Sequence, residues 1–220
     1  MSEYTIRKAN ENDIPFLTDV VIEAEKSNCK QLSFSTLFNL SEETARKHIA
    51  SMFDEEIDGC EFSLSNYLIV EYEGKRVAGL GAWIEAFDGN QPSAILKSNL
   101  ISYTFGKDAV AYLKTKAHLI KGMLTEREPM TLQIEYLFVD YAHRGKKLGS
   151  LLFRTQEDLH REKYPELKKV QLHLFGNNYV AQEIYKKMDY VFVSSHKSDE
   201  PETMEYLPYN EKIIMEKTFK

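Results

Sequence analysis

The chain has 220 residues, with 34 Asp or Glu against 28 Lys or Arg, so its formal net charge is −6. Apolar residues make up 43% of it and aromatic residues 12%, which is enough for a sizeable core and excludes a disordered chain. The acidic balance argues against a general nucleic-acid binder, which usually has a basic face. No apolar run approaches the roughly 18 residues of a membrane span, and the N-terminus lacks the basic start of a signal peptide. We therefore expect a cytoplasmic protein with no nucleic-acid or membrane partner, and Cys29 and Cys60 as free thiols.

The hydrophobic pattern predicts a mixed α/β sheet flanked by helices. Asp13 is expected to cap a first helix with Pro15 in its first turn, and Ser41 to cap a second helix through Thr44. Residues 91–125 have a helical pattern and separate the third and fourth strands. The unit over 131–175 is expected to be a right-handed parallel strand–helix–strand crossover. The remaining predicted helices are 148–163 and 178–188, and the predicted strands are 4–9, 66–72, 76–84, 131–139, 168–175, 190–195 and 211–219.

A basic, glycine-containing loop joins the strand 131–139 to the helix that follows it. Its sequence is Arg144-Gly145-Lys146-Lys147-Leu148-Gly149-Ser150. Glycines let the backbone approach an anion, and the start of a helix offers unbonded N–H groups and the positive end of the helix dipole. The loop therefore predicts a pyrophosphate site, the alternative being a basic turn without a ligand. It matches neither a Walker P-loop nor a dinucleotide fingerprint, because the spacing of its glycines and lysines differs from both.

Two motifs around this loop resemble the signatures of the GNAT superfamily of N-acetyltransferases. In that superfamily a strand of the form L-x-V runs into R/Q-x-x-G-x-G/A and a helix, and the pattern N-x-x-A-x-x-x-Y-x-x-x-G-F follows. The resemblance is firm over 131–195, weaker over 1–10 and 66–84, and absent over 91–125. Two positions depart from the pattern, since Lys147 replaces the middle glycine and Asp189-Tyr190 replaces Gly-Phe. The matching residues here are Leu137-Phe138-Val139 before the loop, and Asn178 to Ala181 followed by Tyr185 about 30 residues after it.

The resemblance implies a single GNAT domain over residues 1–220, with a helical insertion near 91–125, that binds acetyl-CoA as co-substrate. The backbone of Leu137, Phe138 and Val139 would pair with the pantetheine arm of acetyl-CoA. Asn178 would contact the pantetheine or pyrophosphate region, and its alternative role is to cap the following helix. The pyrophosphate would be held by a loop that Arg144 begins and whose amides come from Gly145, Lys146, Lys147, Leu148, Gly149 and Ser150.

The implied reaction is acetyl transfer from the thioester to a primary amine of a small molecule or peptide. Tyr185, at the matching motif position, would protonate the leaving thiolate; alternatively it is a packing residue. Glu135, where many members carry a carboxylate, is the candidate base, directly or through water; alternatively it is a structural carboxylate. Strand alternation places Glu135 on the side of Leu137, and partial burial would raise its pKa. We expect His173 to be structural, and the His and Cys spacing predicts no metal.

The sequence gives only one indication of the acceptor amine, an acidic segment. Between His48 and Gly74 there is no Lys or Arg but there are seven carboxylates: Asp54, Glu55, Glu56, Asp58, Glu61, Glu71 and Glu73. Such a segment would steer a cationic amine, or it is simply a solvated acidic loop. The 91–125 insertion is expected to form a lid or a homodimer contact. The alternative function is a non-catalytic acyl-CoA-binding module, for which Lys147 and Asp189 would be signs of decay.

Overall fold

The computed structural model describes residues 4–219, and in this range seven strands form one mixed sheet in the order β1-β2-β3-β4-β5-β7-β6. Only β4 and β5 are parallel; all the other neighbours are antiparallel. This confirms the predicted fold class and the parallel crossover between the fourth and fifth strands. The strands are β1 (Thr5–Lys8), β2 (Tyr67–Tyr72), β3 (Lys75–Ile84), β4 (Leu132–Val139), β5 (Lys169–Phe175), β6 (Val191–Lys197) and β7 (Glu211–Thr218).

The helices cover both faces of the sheet. Two apolar clusters result: one lies beneath the helices that precede β2, and the other lies beneath the crossover helix between β4 and β5. No helix within residues 4–219 is both long enough and apolar enough to cross a membrane. The helices are α1 (Ile14–Lys26), α2 (Ser33–Thr36), α3 (Glu42–Asp54), α4 (Ser93–Thr104), α5 (Gly106–Lys121), α6 (Leu148–Lys163), α7 (Tyr179–Lys186) and α8 (Thr203–Tyr206).

Local sequence explains most of these boundaries. Ser41 caps α3 as predicted, because its side chain accepts the Thr44 N–H at 3.1 Å. Asp13 occupies the N-cap position of α1 and Pro15 lies in the first turn, as predicted, but the Asp13 side chain makes no capping hydrogen bond to α1. Asp13 is fully buried and binds the guanidinium groups of Arg7 and Arg76, and its Oδ2 accepts the Asn10 N–H. The predicted helical character of 91–125 is confirmed, and the segment forms two helices because the chain turns at Gly106 with a φ of 80°.

Candidate active site

A cleft opens where β4 and β5 separate. The two strands pair only up to Ile134, opposite Leu172, and then diverge. A bulge follows in β4, where the register with β3 shifts and Tyr136 has a φ of 58°. The β5-facing backbone of β4 after the bulge therefore has no strand partner in the described chain, and the cleft has a volume of about 840 Å³. An extended ligand can add to an open strand edge of this kind.

Backbone amides line one end of the cleft, in the loop between β4 and α6. Gly145 and Lys147 have left-handed φ values of 77° and 62°, so the chain turns sharply before the helix. The amide of Leu151 is the first in this stretch to bond a backbone carbonyl, and it donates to Lys147 O at 3.0 Å. The amides from Gly145 to Ser150 have no acceptor among residues 4–219. Since they lie at the positive end of α6, they suit a pyrophosphate group.

Close contact between α6 and β4 shapes this end of the cleft. A Cβ placed on Gly149 would lie 3.1 Å from Leu137 Cδ2, so a side chain there would push the helix start away from the strand. The predicted loop residue Lys146 turns away instead, with its Nζ 5.5 Å from the centre of the Tyr4 ring. Arg144 donates from Nε to Val139 O at 3.2 Å. The other predicted ligand-binding residues all line the cleft: Leu137, Phe138, Val139, Arg144, Gly145, Lys147, Leu148, Gly149, Ser150 and Asn178.

Tyr185 lies in the wall of the cleft, on α7. Its ring packs against Phe153 and Tyr190, with centroid distances of 5.1 and 6.1 Å. The residue is only 9% exposed, and its hydroxyl has no hydrogen-bond partner among residues 4–219. Burial raises the pKa of Tyr185, so the hydroxyl carries its proton at neutral pH but is a weaker acid than that of an exposed tyrosine. The structure thus combines the packing role and an available proton in one residue.

Glu135 differs from its predicted environment in two ways. The bulge at Tyr136 interrupts strand alternation, so Leu137 packs into the cluster beneath α6 while Glu135 faces Arg127 on the other side. The expected raised pKa is also wrong. Burial alone would raise the pKa of Glu135, but the positive charges of Arg127, Lys97 and Lys212 outweigh burial and lower it. Glu135 is therefore an ionised carboxylate in an ion pair with Arg127.

The charges around Glu135 form a buried network that the sequence did not predict. Lys97 Nζ bonds Glu61 Oε1 at 2.8 Å and lies 3.4 Å from the Tyr136 hydroxyl. Arg127 Nη2 lies 4.0 Å from the same Glu61 oxygen. Burial alone would lower the pKa of Lys97, but Glu61, Glu135 and Glu25 raise it, so the ammonium stays charged. Lys97 belongs to α4, within the 91–125 insertion, and Arg127 follows the insertion, so both segments supply part of the cleft wall.

His173 and Asn178 line the cleft with polar atoms that are already bonded. The His173 ring lies between Thr125 Oγ1, 2.8 Å from Nδ1, and Gln171 Oε1, 3.1 Å from Nε2. Burial lowers the pKa of His173, with Arg127 and Lys212 adding to the effect, so the ring is neutral at pH 7. Asn178 caps α7 by accepting the Ala181 N–H at 3.2 Å. The expected structural role of His173 and the capping role of Asn178 are both present.

The acidic segment does not face the cleft. None of the seven carboxylates between His48 and Gly74 belongs to its lining. Glu61 is 1% exposed and pairs with Lys97, and Glu71 pairs with Arg7. These seven carboxylates therefore do not line a path for a cationic amine, although the charge of Glu61 acts on Lys97 and His173 in the cleft. A cationic acceptor stays a prediction.

A second cavity, of about 1040 Å³, lies near the C-terminal end of α6. Its lining includes Trp83, Phe87, His160 and Tyr164. This end of the helix exposes carbonyl oxygens and carries the negative end of the dipole, which disfavours an anion. The free amides at the start of α6 belong to the cleft between β4 and β5, so that cleft is the better candidate for an anionic ligand.

A glycine-containing loop with free amides follows a bulged strand beside two parallel strands that diverge, and this arrangement is that of an acetyltransferase fold. The chain matches the family model described as the acetyltransferase (GNAT) family over residues 34–190, which is more than half of its length. The protein therefore belongs to the GNAT acetyltransferase family, as the motifs predicted. No curated protein sequence matches it.

Solved structures of acetyltransferases share the fold at low sequence identity. The ribosomal-protein-alanine N-acetyltransferase from Brucella melitensis has a TM-score of 0.58 at 15% identity, over 98% of this chain and 99% of that one. An N-acetyltransferase from Staphylococcus aureus has a TM-score of 0.60 at 14% identity, over 96% and 99%. The protein yncA from Salmonella typhimurium, solved with its cofactor acetyl-CoA, has a TM-score of 0.57 at 12% identity, over 99% and 94%.

Proposed function

We propose that the protein is an acetyl-CoA-dependent N-acetyltransferase that acetylates a primary amine by direct attack on the thioester. The observation that carries this proposal is the combination of free amides at the start of α6, an open β4 edge and the Tyr185 hydroxyl in one cleft. The amides from Gly145 to Ser150 fit a pyrophosphate, and the β4 edge fits an extended amide-containing arm. These are the two chemical features by which coenzyme A differs from a simple thioester.

Bound acetyl-CoA supplies an activated acetyl group on a thioester. An amine nitrogen forms the new bond to the acetyl carbon, the carbon–sulfur bond breaks, and the thiol needs a proton as it leaves. Tyr185 would donate that proton, since its hydroxyl is protonated at neutral pH and has no competing partner in the described chain. A β4 amide beside the bulge would stabilise charge on the carbonyl oxygen.

Glu135 would receive the proton that the amine releases, directly or through water. Its lowered pKa makes it a weak base, so it serves best as an ionised end point of a water relay. Arg127 would hold the carboxylate in place and keep it ionised, because the two side chains form an ion pair. Positioning of the two substrates would supply most of the remaining acceleration.

The alternative, a non-catalytic acyl-CoA-binding module, loses support from the two positions that suggested decay. Lys147 has a φ of 62° and Asp189 a φ of 69°, so both residues adopt the left-handed conformation in which glycine is favoured. The loop and the end of α7 therefore make the same sharp turns with Lys147 and Asp189 that glycine would make at these positions. The two departures from the motif therefore leave the backbone of the site intact.

Release of free thiol from acetyl-CoA with a panel of primary amines, together with mass spectrometry of the acetylated product, tests the proposal. Tyr185→Phe keeps the ring and removes the proton donor, so turnover should fall by about 10²–10⁴-fold while CoA affinity and melting temperature stay near wild type. Tyr190→Phe is the matched control. It removes a hydroxyl from the same aromatic cluster, one that bonds Glu157 at 2.7 Å outside the cleft, so it should lower stability and spare turnover.

Two results would contradict the proposal in different ways. Undiminished turnover in Tyr185→Phe would remove the acid role and leave Tyr185 as a packing residue. Thermal stabilisation by CoA without thiol release from any amine would favour the non-catalytic binding module.

A further inference from the structure

The end of the cleft away from the phosphate loop carries side chains of both charges. This end is where the acceptor amine must enter if the loop from Gly145 to Ser150 holds coenzyme A. Most of its cations pair with a carboxylate of the chain. These pairs are Lys97 with Glu61, Arg127 with Glu135, and Lys26 with Glu42.

Lys212 is the exception. It lines the cleft from β7, is half-buried, and has neither an ion-pair partner nor a hydrogen-bond partner among residues 4–219. It lies across from Phe175 in the β5–β7 register, with its Nζ 5.3 Å from the centre of that ring. Its charge contributes to the lowered pKa of both Glu135 and His173, two other residues that line the cleft. A half-buried ammonium that forms no ion pair within the described residues is a ready binding point for an anionic group.

Carboxylates without a cation line the same end. Glu23 and Glu25, in the last turn of α1, both belong to the lining, and neither forms an ion pair within the described residues. Glu25 accepts a hydrogen bond from Ser33 Oγ, and its charge reaches Lys97 and Tyr136. The acceptor end therefore offers unpaired negative charge from α1 and unpaired positive charge from Lys212. A ligand with one charge of each sign would complement both.

We propose that the acceptor is an amino acid: an amine that also carries a carboxylate, with the carboxylate bound by the Lys212 ammonium. This inference rests on the proposed N-acetyltransferase activity and adds the class of acceptor to it. The ammonium form of the substrate is drawn toward the carboxylates of α1, and the amine reacts once it has lost a proton. A diamine would place a second positive charge beside Lys212, and a simple alkylamine would leave Lys212 without a partner.

The test uses the full chain and matched sets of amines. Each set contains an ω-amino acid, from glycine to 6-aminohexanoate, with the alkylamine and the diamine of the same length. We expect the best amino acid to exceed its alkylamine by about tenfold or more in kcat/KM, since a charge-assisted hydrogen bond is worth at least that factor. In Lys212→Met the advantage should fall to about one, mainly through KM, and Lys212→Glu should favour the diamine. Lys114→Met, an exposed lysine on α5, makes the same charge change outside the cleft and should keep the preference.

Calorimetric binding of the same compounds to the CoA-saturated protein separates this inference from the proposed function. Two results would overturn the role of Lys212 and leave the acetyltransferase proposal standing. The first is equal thiol release with an amino acid and its matched alkylamine, and the second is a preference for the amino acid that is unchanged in Lys212→Met. Absence of thiol release with every amine overturns the proposed activity. In that case, loss of amino-acid binding in Lys212→Met would still support the carboxylate site, and equal binding by both proteins would overturn it as well.

Discussion

The two ends of the cleft differ in the groups that face it, which are backbone amides at one end and charged side chains at the other. The phosphate end consists of backbone: a run of free amides at the start of α6, two left-handed residues and a glycine that lets the helix approach β4. The acceptor end consists of charged side chains that converge from α1, α4, the segment before β4, and β7. Backbone donors bind any pyrophosphate regardless of the neighbouring side chains, whereas converging side chains select by charge. Under the proposed function, the first end would hold the co-substrate through backbone groups and the second would select the acceptor by its charge.

The largest effect should come from breaking the acceptor end at Arg127. Arg127→Met removes the cation between two buried carboxylates, Glu135 and Glu61, which are 11% and 1% exposed as side chains. We expect the free energy of unfolding at pH 7 to fall by about 3–5 kcal/mol, as is typical when one partner of a buried pair is removed. Urea denaturation measures this loss. Arg46→Met is the control, because Arg46 and its partner Asp19 are about half exposed, and its loss should stay below about 1 kcal/mol.

The loss in Arg127→Met should also depend on pH. In the wild type the folded-state pKa of Glu135 lies below its ordinary value, so its ionised form stabilises the fold above that value, and this contribution disappears as the pH falls through the folded pKa. Without Arg127 the buried carboxylate takes up a proton more readily, so the difference from wild type should shrink as the pH is lowered from 7 toward 4. A difference that is constant over this range, or no larger than that of Arg46→Met, would count against the buried ion pair.

A much smaller effect is expected at the phosphate end, from Lys147. This residue holds a φ of 62°, a conformation that is unfavourable for a lysine by on the order of 1 kcal/mol. Lys147→Gly should therefore add between zero and about 1 kcal/mol of stability, since glycine also gains entropy in the unfolded chain. CoA affinity should not fall if the backbone amide is the donor. Lys147→Met keeps the strained conformation and removes the charge, so a large loss of affinity in both variants would assign the phosphate contact to the lysine side chain.

This difference between backbone and side-chain groups also determines which parts of the cleft could be predicted from the sequence. The phosphate loop, α6 and the motif that contains Tyr185 are short sequence patterns. Such patterns could be recognised because they predict the backbone conformation of the same residues. The pKa of Glu135 could not be predicted, because its partner Arg127 lies in a segment outside the family signatures and the bulge at Tyr136 changes which side the carboxylate faces. Lys212 gives no local signal at all. It becomes notable only when β7 places it opposite Phe175 beside the open end of β4 and β5.

Amide chemical shifts of the ¹⁵N-labelled protein, recorded while CoA is added, test most directly whether the cleft between β4 and β5 is the coenzyme site. The largest changes should occur at the amides from Gly145 to Ser150, with further changes at Leu137 to Val139, because these groups lie along the proposed path of the ligand. Trp83, Phe87 and Tyr164, in the second cavity, should change little. Changes concentrated at those three residues, with unaffected loop amides, would contradict the assignment of the cleft.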